Sequence, residues 1–152
     1  MKNYFKLSVL LLIFTMLLPS AAHAQGVRAV KSPQALRIDG ALTDVRGYNV
    51  GGYNYYRLRD LAQALKGKVD FSLQGDNKEI LVDCTKTYTV IPGEQTGGAV
   101  ERGVMQQMRL TVLGEHPAEL VENAVNIRGY NYFRLRSVGM ILGFDVDYDQ
   151  AK

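Results

Sequence analysis

Gly52-Tyr53-Asn54-Tyr55-Tyr56-Arg57-Leu58-Arg59 returns, 77 residues later, as Gly129-Tyr130-Asn131-Tyr132-Phe133-Arg134-Leu135-Arg136. Extended outward without a gap, Asn49 to Phe71 lies over Asn126 to Tyr148, with 11 of 23 positions identical. A self-similar stretch of this kind marks one supersecondary unit used twice, each copy with its own small core. Duplication suits a modular binding protein better than a chain of this length that must also build an active site.

Within each copy the hydrophobic period changes along the chain. Tyr48 and Val50 flank Asn49, and Val125 and Ile127 flank Asn126. That alternation predicts a half-buried strand. Gly51-Gly52 and Arg128-Gly129 then supply the backbone freedom for a turn. Leu58, Leu61, Ala62 and Leu65 fall at helical spacing, as do Leu135, Val138, Gly139 and Leu142. Lys66-Gly67 and Gly143 punctuate the helix ends. Alternation resumes with Val69, Phe71 and Leu73, matched by Phe144, Val146 and Tyr148. Gly75-Asp76-Asn77 reads as a turn, Glu79 to Cys84 as the returning strand, and Thr87 to Ile91 as a further one. Upstream, Leu36 to Gly40 predicts a short strand ending in a turn, with Leu110 to Gly114 its counterpart.

These readings give an α+β fold of two small units, each an antiparallel sheet packed around one helix. The first covers residues 34–91 and the second 107–152. A linker over 92–106 joins them, with Gly and Pro concentrated from Pro92 to Gly103. The second unit lacks its last strand, because counterparts of Lys78 to Cys84 would follow Lys152. The expected result is an open sheet edge with unpaired backbone groups. A truncated gene product, a strand borrowed from the first unit, and completion by a partner all account for it. The last implies a strand-mediated dimer or a bound surface protein.

Lys2 and Lys6 precede an apolar run from Leu7 to Leu18, followed by Pro19 and Ala22-His23-Ala24. This is the pattern of a signal peptide over residues 1–24, cleaved after Ala24. The run falls short of the roughly 20 residues that span a bilayer, so no membrane association is expected after cleavage. Removing two of 18 basic residues leaves 16 against 15 acidic ones, a net charge of +1. No clustered basic face points to nucleic acid. Cys84 is the single cysteine, so no intrachain disulfide forms.

The Tyr-Asn-Tyr-aromatic-Arg-Leu-Arg string, with its apolar helix and Val-Asp-aromatic strand, resembles the stalk domain. This module, also called the copper amine oxidase N-terminal-like domain, occurs in secreted and surface proteins of Gram-positive bacteria. Leu36 to Gly40, Tyr48 to Asp60 and Lys86-Thr87-Tyr88-Thr89 with Gly93-Glu94 carry the resemblance, and Ser137 departs from it where Asp60 stands in the first copy. The resemblance spans about residues 34–95 and 108–150. It implies a small antiparallel sheet around one helix and a non-catalytic extracellular or wall-associated role.

The residues argue against chemistry of their own. Without residues 1–24 the chain has one histidine, His116, too few imidazoles for a copper site. Asn54-Tyr55-Tyr56 and Asn131-Tyr132-Phe133 lack the acidic residue that follows the modified tyrosine of the oxidases. Asp145, Asp147 and Asp149 imitate the start of a calcium loop, but Gln150 stands where glycine is required. Cys84 and Ser137 have only His116 as a base, with no orienting acid evident. No catalytic residue, metal site or cofactor is therefore expected.

What remains is an aromatic and basic cluster. Tyr53, Tyr55, Arg57, Tyr130, Tyr132 and Arg134 are the candidate ligand-binding residues, a platform for sugar rings or wall polymer. Strand alternation also requires about half of the aromatics to face a core. The expected function is a secreted, extracellular cell-envelope binding or spacer module. The alternative is a secreted regulator that binds a partner protein through the open sheet edge.

Overall fold

The computed structural model describes residues 26–66, 69–75, 78–89 and 97–147. The expected signal peptide, Gly67, the Asp76-Asn77 turn, linker residues 92–96 and the chain from Tyr148 onward lie outside the described residues. In chain order the elements are β1 (Gly26–Lys31), β2 (Arg37–Ile38), β3 (Ala41–Leu42), β4 (Gly47–Val50), β5 (Tyr53–Arg57) and helix α1 (Leu58–Leu65). There follow β6 (Asp70–Gln74), β7 (Glu79–Asp83), β8 (Val100–Leu113), β9 (Ala118–Ile127), β10 (Tyr130–Arg134) and helix α2 (Leu135–Leu142).

Each copy of the repeat builds a hairpin that runs straight into a helix. Gly51 and Gly52 have φ of 58° and 88°, and Arg128 and Gly129 have 52° and 85°. Positive φ at both central residues is what a type I′ hairpin turn requires. One asparagine braces each turn. Asn49 Oδ1 accepts from the Gly52 amide at 3.2 Å, and Asn126 Oδ1 from the Gly129 amide at 3.1 Å. Leu58, Leu61 and Ala62 turn the buried face of α1 inward, and Leu135, Val138 and Ile141 that of α2. Left-handed Lys66 and Gly143 close the two helices.

The fold is α+β, but two separate units are not supported. Strands β5 and β10 are antiparallel neighbours, pairing Tyr55 with Arg134, Tyr56 with Phe133 and Arg57 with Tyr132. Tyr56 thus faces its own counterpart, so a local two-fold axis relates the copies. The reason is burial. Each strand carries adjacent aromatics that point to opposite faces, and an isolated two-stranded hairpin cannot cover both. Side-by-side pairing lets the copies share both cores.

The sheet runs β1-β4-β5-β10-β9-β8, and pairing of β1 with β8 from Gly26↔Val104 to Val30↔Val100 closes a six-stranded barrel. Strand β8 is the spine. Beyond the barrel, its Arg109–Leu113 half pairs in parallel with Glu79–Asp83 of β7, which carries β6 on its other side. Residues 100–106, expected in the linker, therefore belong to β8. The stretch Leu110 to Leu113 is the end of that strand rather than a counterpart of the small β2–β3 hairpin. Residues 144–147 form no strand; Phe144 and Val146 pack on the core instead. Thr87 to Thr89 are likewise not strand. Among the described residues, the outer side of β6 and the Ala118–Ala124 half of β9 are unpaired sheet edges.

Two cores lie on opposite faces of the sheet. Inside the barrel are Ala29, Tyr48, Val50, Tyr55, Val125, Ile127 and Tyr132. On the helix side, Tyr56 and Phe133 meet both helices together with Met108, Leu110 and Val112 of β8 and Ile80 and Val82 of β7. Alternation along β8 divides its residues between the two: Gly103 points into the barrel and Met108 toward the helices.

Candidate functional site

The two-fold pairing of the repeat makes two surface grooves, each built from both copies. Arg57, Leu58 and Arg59 of the first copy face Gly129, Tyr130 and Asn131 of the second around a cavity of about 160 Å³. Arg134, Leu135 and Arg136 of the second face Gly52, Tyr53 and Asn54 of the first around one of about 530 Å³. The lining triplets correspond residue for residue under the 77-residue offset. Neither copy alone forms either groove.

An arginine–tyrosine stack marks each groove. The Arg57 guanidinium lies 5.0 Å from the centre of the Tyr130 ring, and that of Arg134 lies 3.9 Å from the centre of Tyr53. These are cation–π distances. Arg134 also donates from Nε to the Tyr55 hydroxyl at 3.1 Å.

The grooves then diverge in charge. In the first, Asp60 holds Arg57 through both carboxylate oxygens, Nε–Oδ2 at 2.8 Å and Nη2–Oδ1 at 2.5 Å. In the second, Ser137 takes the place of Asp60 and donates to Glu122 Oε2 at 3.0 Å. Among the described residues no carboxylate bridges Arg134. Asn49, Asn54 and Gln34 line the second groove, and the Asn54 amide donates to the Gln34 side-chain oxygen.

Of the six candidates, Tyr53, Arg57, Tyr130 and Arg134 line these grooves. Tyr53 is 55% exposed. Tyr55 and Tyr132 do not present a platform: both are buried inside the barrel, where alternation sends them inward. Tyr132 packs edge-on against Tyr48 at 5.4 Å between ring centres. Burial pushes the Tyr132 hydroxyl up to about 12 and raises Tyr48 as well. The residues missed by the sequence reading are the flanking amides and the Asp60/Ser137 exchange as a charge switch. That exchange was visible in the aligned copies, but its meaning needed the register.

Other chemistry-bearing residues do not assemble a site. Cys84 and His116 line a larger cavity, about 680 Å³, at the far end of β8. Its wall is mostly apolar, and no hydrogen bond joins the two. Burial, then the Asp83 charge, raises the Cys84 thiol, the opposite of what a reactive thiolate needs. Ser137 is committed to Glu122. Among the described residues no three metal-ligating side chains gather, and Asp149 lies outside them. No helix among the described residues is long and apolar enough to cross a membrane. Comparison with family models, curated proteins and solved structures finds no match to this chain.

Proposed function

We propose that the chain is a non-catalytic binding module of the cell envelope, exported by its N-terminal leader and related to the stalk domain. One observation carries the reading: the duplicated string forms two quasi-equivalent grooves whose walls come from both copies. A pure spacer has no need of matched concavities lined by arginine, tyrosine and amide groups. Such linings suit sugars, because aromatic rings cover apolar ring faces while amides and guanidinium groups bond hydroxyls. The leader pattern and the stalk-like string support export and wall association.

Co-sedimentation of residues 25–152 with isolated Gram-positive cell walls tests this, with a heat-unfolded sample as control. Saturable retention of the folded protein alone is expected. If the folded protein stays in the supernatant, wall binding is abandoned in favour of a spacer role.

A second reading, a regulator that captures a partner protein by strand addition, rests on the outer edge of β6 and the free half of β9. Leu73 and Val121 on these strands are 50% and 63% exposed. It predicts a concentration-dependent dimer or complex that proline at Ser72 or Asn123 abolishes.

A further inference from the structure

Resting on that binding-module reading, we propose that the second groove is an anion-selective glycan site, with Arg134 receiving a carboxylate or phosphate and Tyr53 bearing on an adjoining sugar ring. The two-fold relation supplies an internal control. Both grooves carry the same Arg-Leu-Arg and Gly-Tyr-Asn walls, so what differs between them identifies the specialised one. In the first groove Asp60 occupies two donors of Arg57. An anionic ligand arriving there has to compete with a carboxylate already in place.

The second groove has no such competitor. The residues that line it include no aspartate or glutamate, and Ser137, where the acid would stand, donates its hydroxyl to Glu122 behind the lining. Arg134 is nevertheless held in position. Its plane rests on Tyr53 at 3.9 Å and its Nε is fixed by the Tyr55 hydroxyl at 3.1 Å. One edge of the guanidinium is spent on orientation, which leaves the terminal nitrogens as donors for an oxyanion. Paired donation to a carboxylate or phosphate is what guanidinium geometry favours.

The surroundings extend the chemistry from anion to acidic sugar. Tyr53 is more than half exposed, so ring surface remains beside the arginine. Asn49, Asn54 and Gln34 add amide donors and acceptors for hydroxyls. The cavity, about 530 Å³ against about 160 Å³ for its twin, is of the size that ligand sites occupy. The first groove is narrowed by Phe71 and Leu73 of β6, an element with no described counterpart beside the second.

The test is calorimetric titration of the protein with trigalacturonic acid, its methyl ester and a glycerol phosphate oligomer. Wild type, Arg134→Gln, Arg134→Lys and Arg57→Gln are compared, with folding checked by thermal melting. The expected result is binding of at least one acidic probe, loss of about tenfold or more in Arg134→Gln, and partial rescue by Arg134→Lys. Arg57→Gln should change affinity less than about twofold, within the background expected for a residue outside the site. Preference for the uronate or the glycerol phosphate tells whether carboxylate or phosphate is the natural anion. Binding of neither acidic probe overturns the proposal, as does equal binding of the methyl ester or an unaffected Arg134→Gln.

The same variants in wall co-sedimentation separate this proposal from the module reading. Wall retention unchanged by Arg134→Gln sinks the groove assignment and leaves the module standing. Uronate binding at Arg134 without wall retention keeps the groove and removes the envelope role.

Discussion

The barrel interior and the helix-covered face are the two sides of one sheet, lined by alternate residues of the same repeat, yet their chemistry differs. Three of the buried barrel residues are tyrosines, Tyr48, Tyr55 and Tyr132. Two of their hydroxyls reach partners at the margin: Tyr48 donates to the Gly98 carbonyl at 2.9 Å, and Tyr55 accepts from Arg134. The helix side is built from Phe133, Met108 and aliphatic side chains, with Tyr56 the one tyrosine among its buried residues and Tyr88 packed at its margin. A buried hydroxyl needs a partner, so the barrel core is tied to its rim, and through Tyr55 to the second groove. The helix core has little such obligation. One face supplies cohesion and the other links the fold to the candidate site.

The sharpest way to break this comparison is truncation at the two-fold axis. Phe133 is fully buried between both helices and β8. Phe133→Ala should lower unfolding free energy by about 3–5 kcal/mol, read from urea denaturation. Tyr55→Phe, which removes only a hydroxyl from the barrel, should cost about 1 kcal/mol. If the barrel substitution proves the more damaging, cohesion lies in the barrel and the division fails.

Crowding tests the barrel from within. A Cβ on Gly103 would lie 2.5 Å from Val125 Cγ1 and 3.3 Å from the Asn126 carbonyl oxygen. Gly103→Val should therefore destabilise by about 1–3 kcal/mol through overpacking. On the partner strand β1, Gly26 has its nearest such neighbour at 4.0 Å. Gly26→Ala should leave the melting temperature nearly unchanged. Equal effects would show that the barrel is looser than its side chains indicate.

Much of this architecture was legible because it is local. The Gly51-Gly52 and Arg128-Gly129 turns, the helical stripes from Leu58 and Leu135, and the returning strand at Glu79 follow from short-range period and turn chemistry. Pairing of the copies did not, because a repeat states that a unit recurs and not which edges meet. A signal was present all the same. Tyr55-Tyr56 and Tyr132-Phe133 put aromatics on both faces of a strand, the mark of burial on both sides. Val100 to Leu113 misled because Gly97, Gly98 and Gly103 read as punctuation, although Met108, Leu110 and Val112 already alternate. Gly103 is glycine because Val125 fills the space its side chain would need. At the site, Tyr53 and Arg134 were evident as residue types, but their stack across copies depends on the β5–β10 register.

pH probes the tyrosine core without altering its packing. Burial disfavours the phenolate, so the Tyr132 hydroxyl rises from 10.0 to about 12 in the folded state. The raised value means its contribution is fully present below pH 10 and is lost as pH climbs toward 12, because the unfolded chain ionises first. The loss should approach roughly 2 kcal/mol at the upper end. Tyr48 shifts in the same direction and steepens the fall. Melting temperatures at stepped pH should stay flat to about pH 10 and then drop, with a shallower drop in Tyr132→Phe. An unchanged slope in that variant would place the alkaline loss elsewhere.

The smallest effect concerns the polar exception on the helix side. Ser137 is the one buried polar residue there among the described residues, 7% exposed, with its hydroxyl on Glu122 at 3.0 Å. Ser137→Ala removes the donor and leaves the carboxylate without that partner. Glu122 is only partly buried, so water can replace the lost bond, and the cost should stay near 1 kcal/mol or below. Asp60→Ala makes the matching change in the first copy but removes the two bonds that Asp60 makes to Arg57. That variant should gain affinity for acidic sugars in the first groove and cost on the order of 3 kcal/mol of stability, because the pair is mostly buried, its side chains 12% and 19% exposed. A gain there, with none in Ser137→Ala, would show that the two grooves share one design and that a single carboxylate sets them apart.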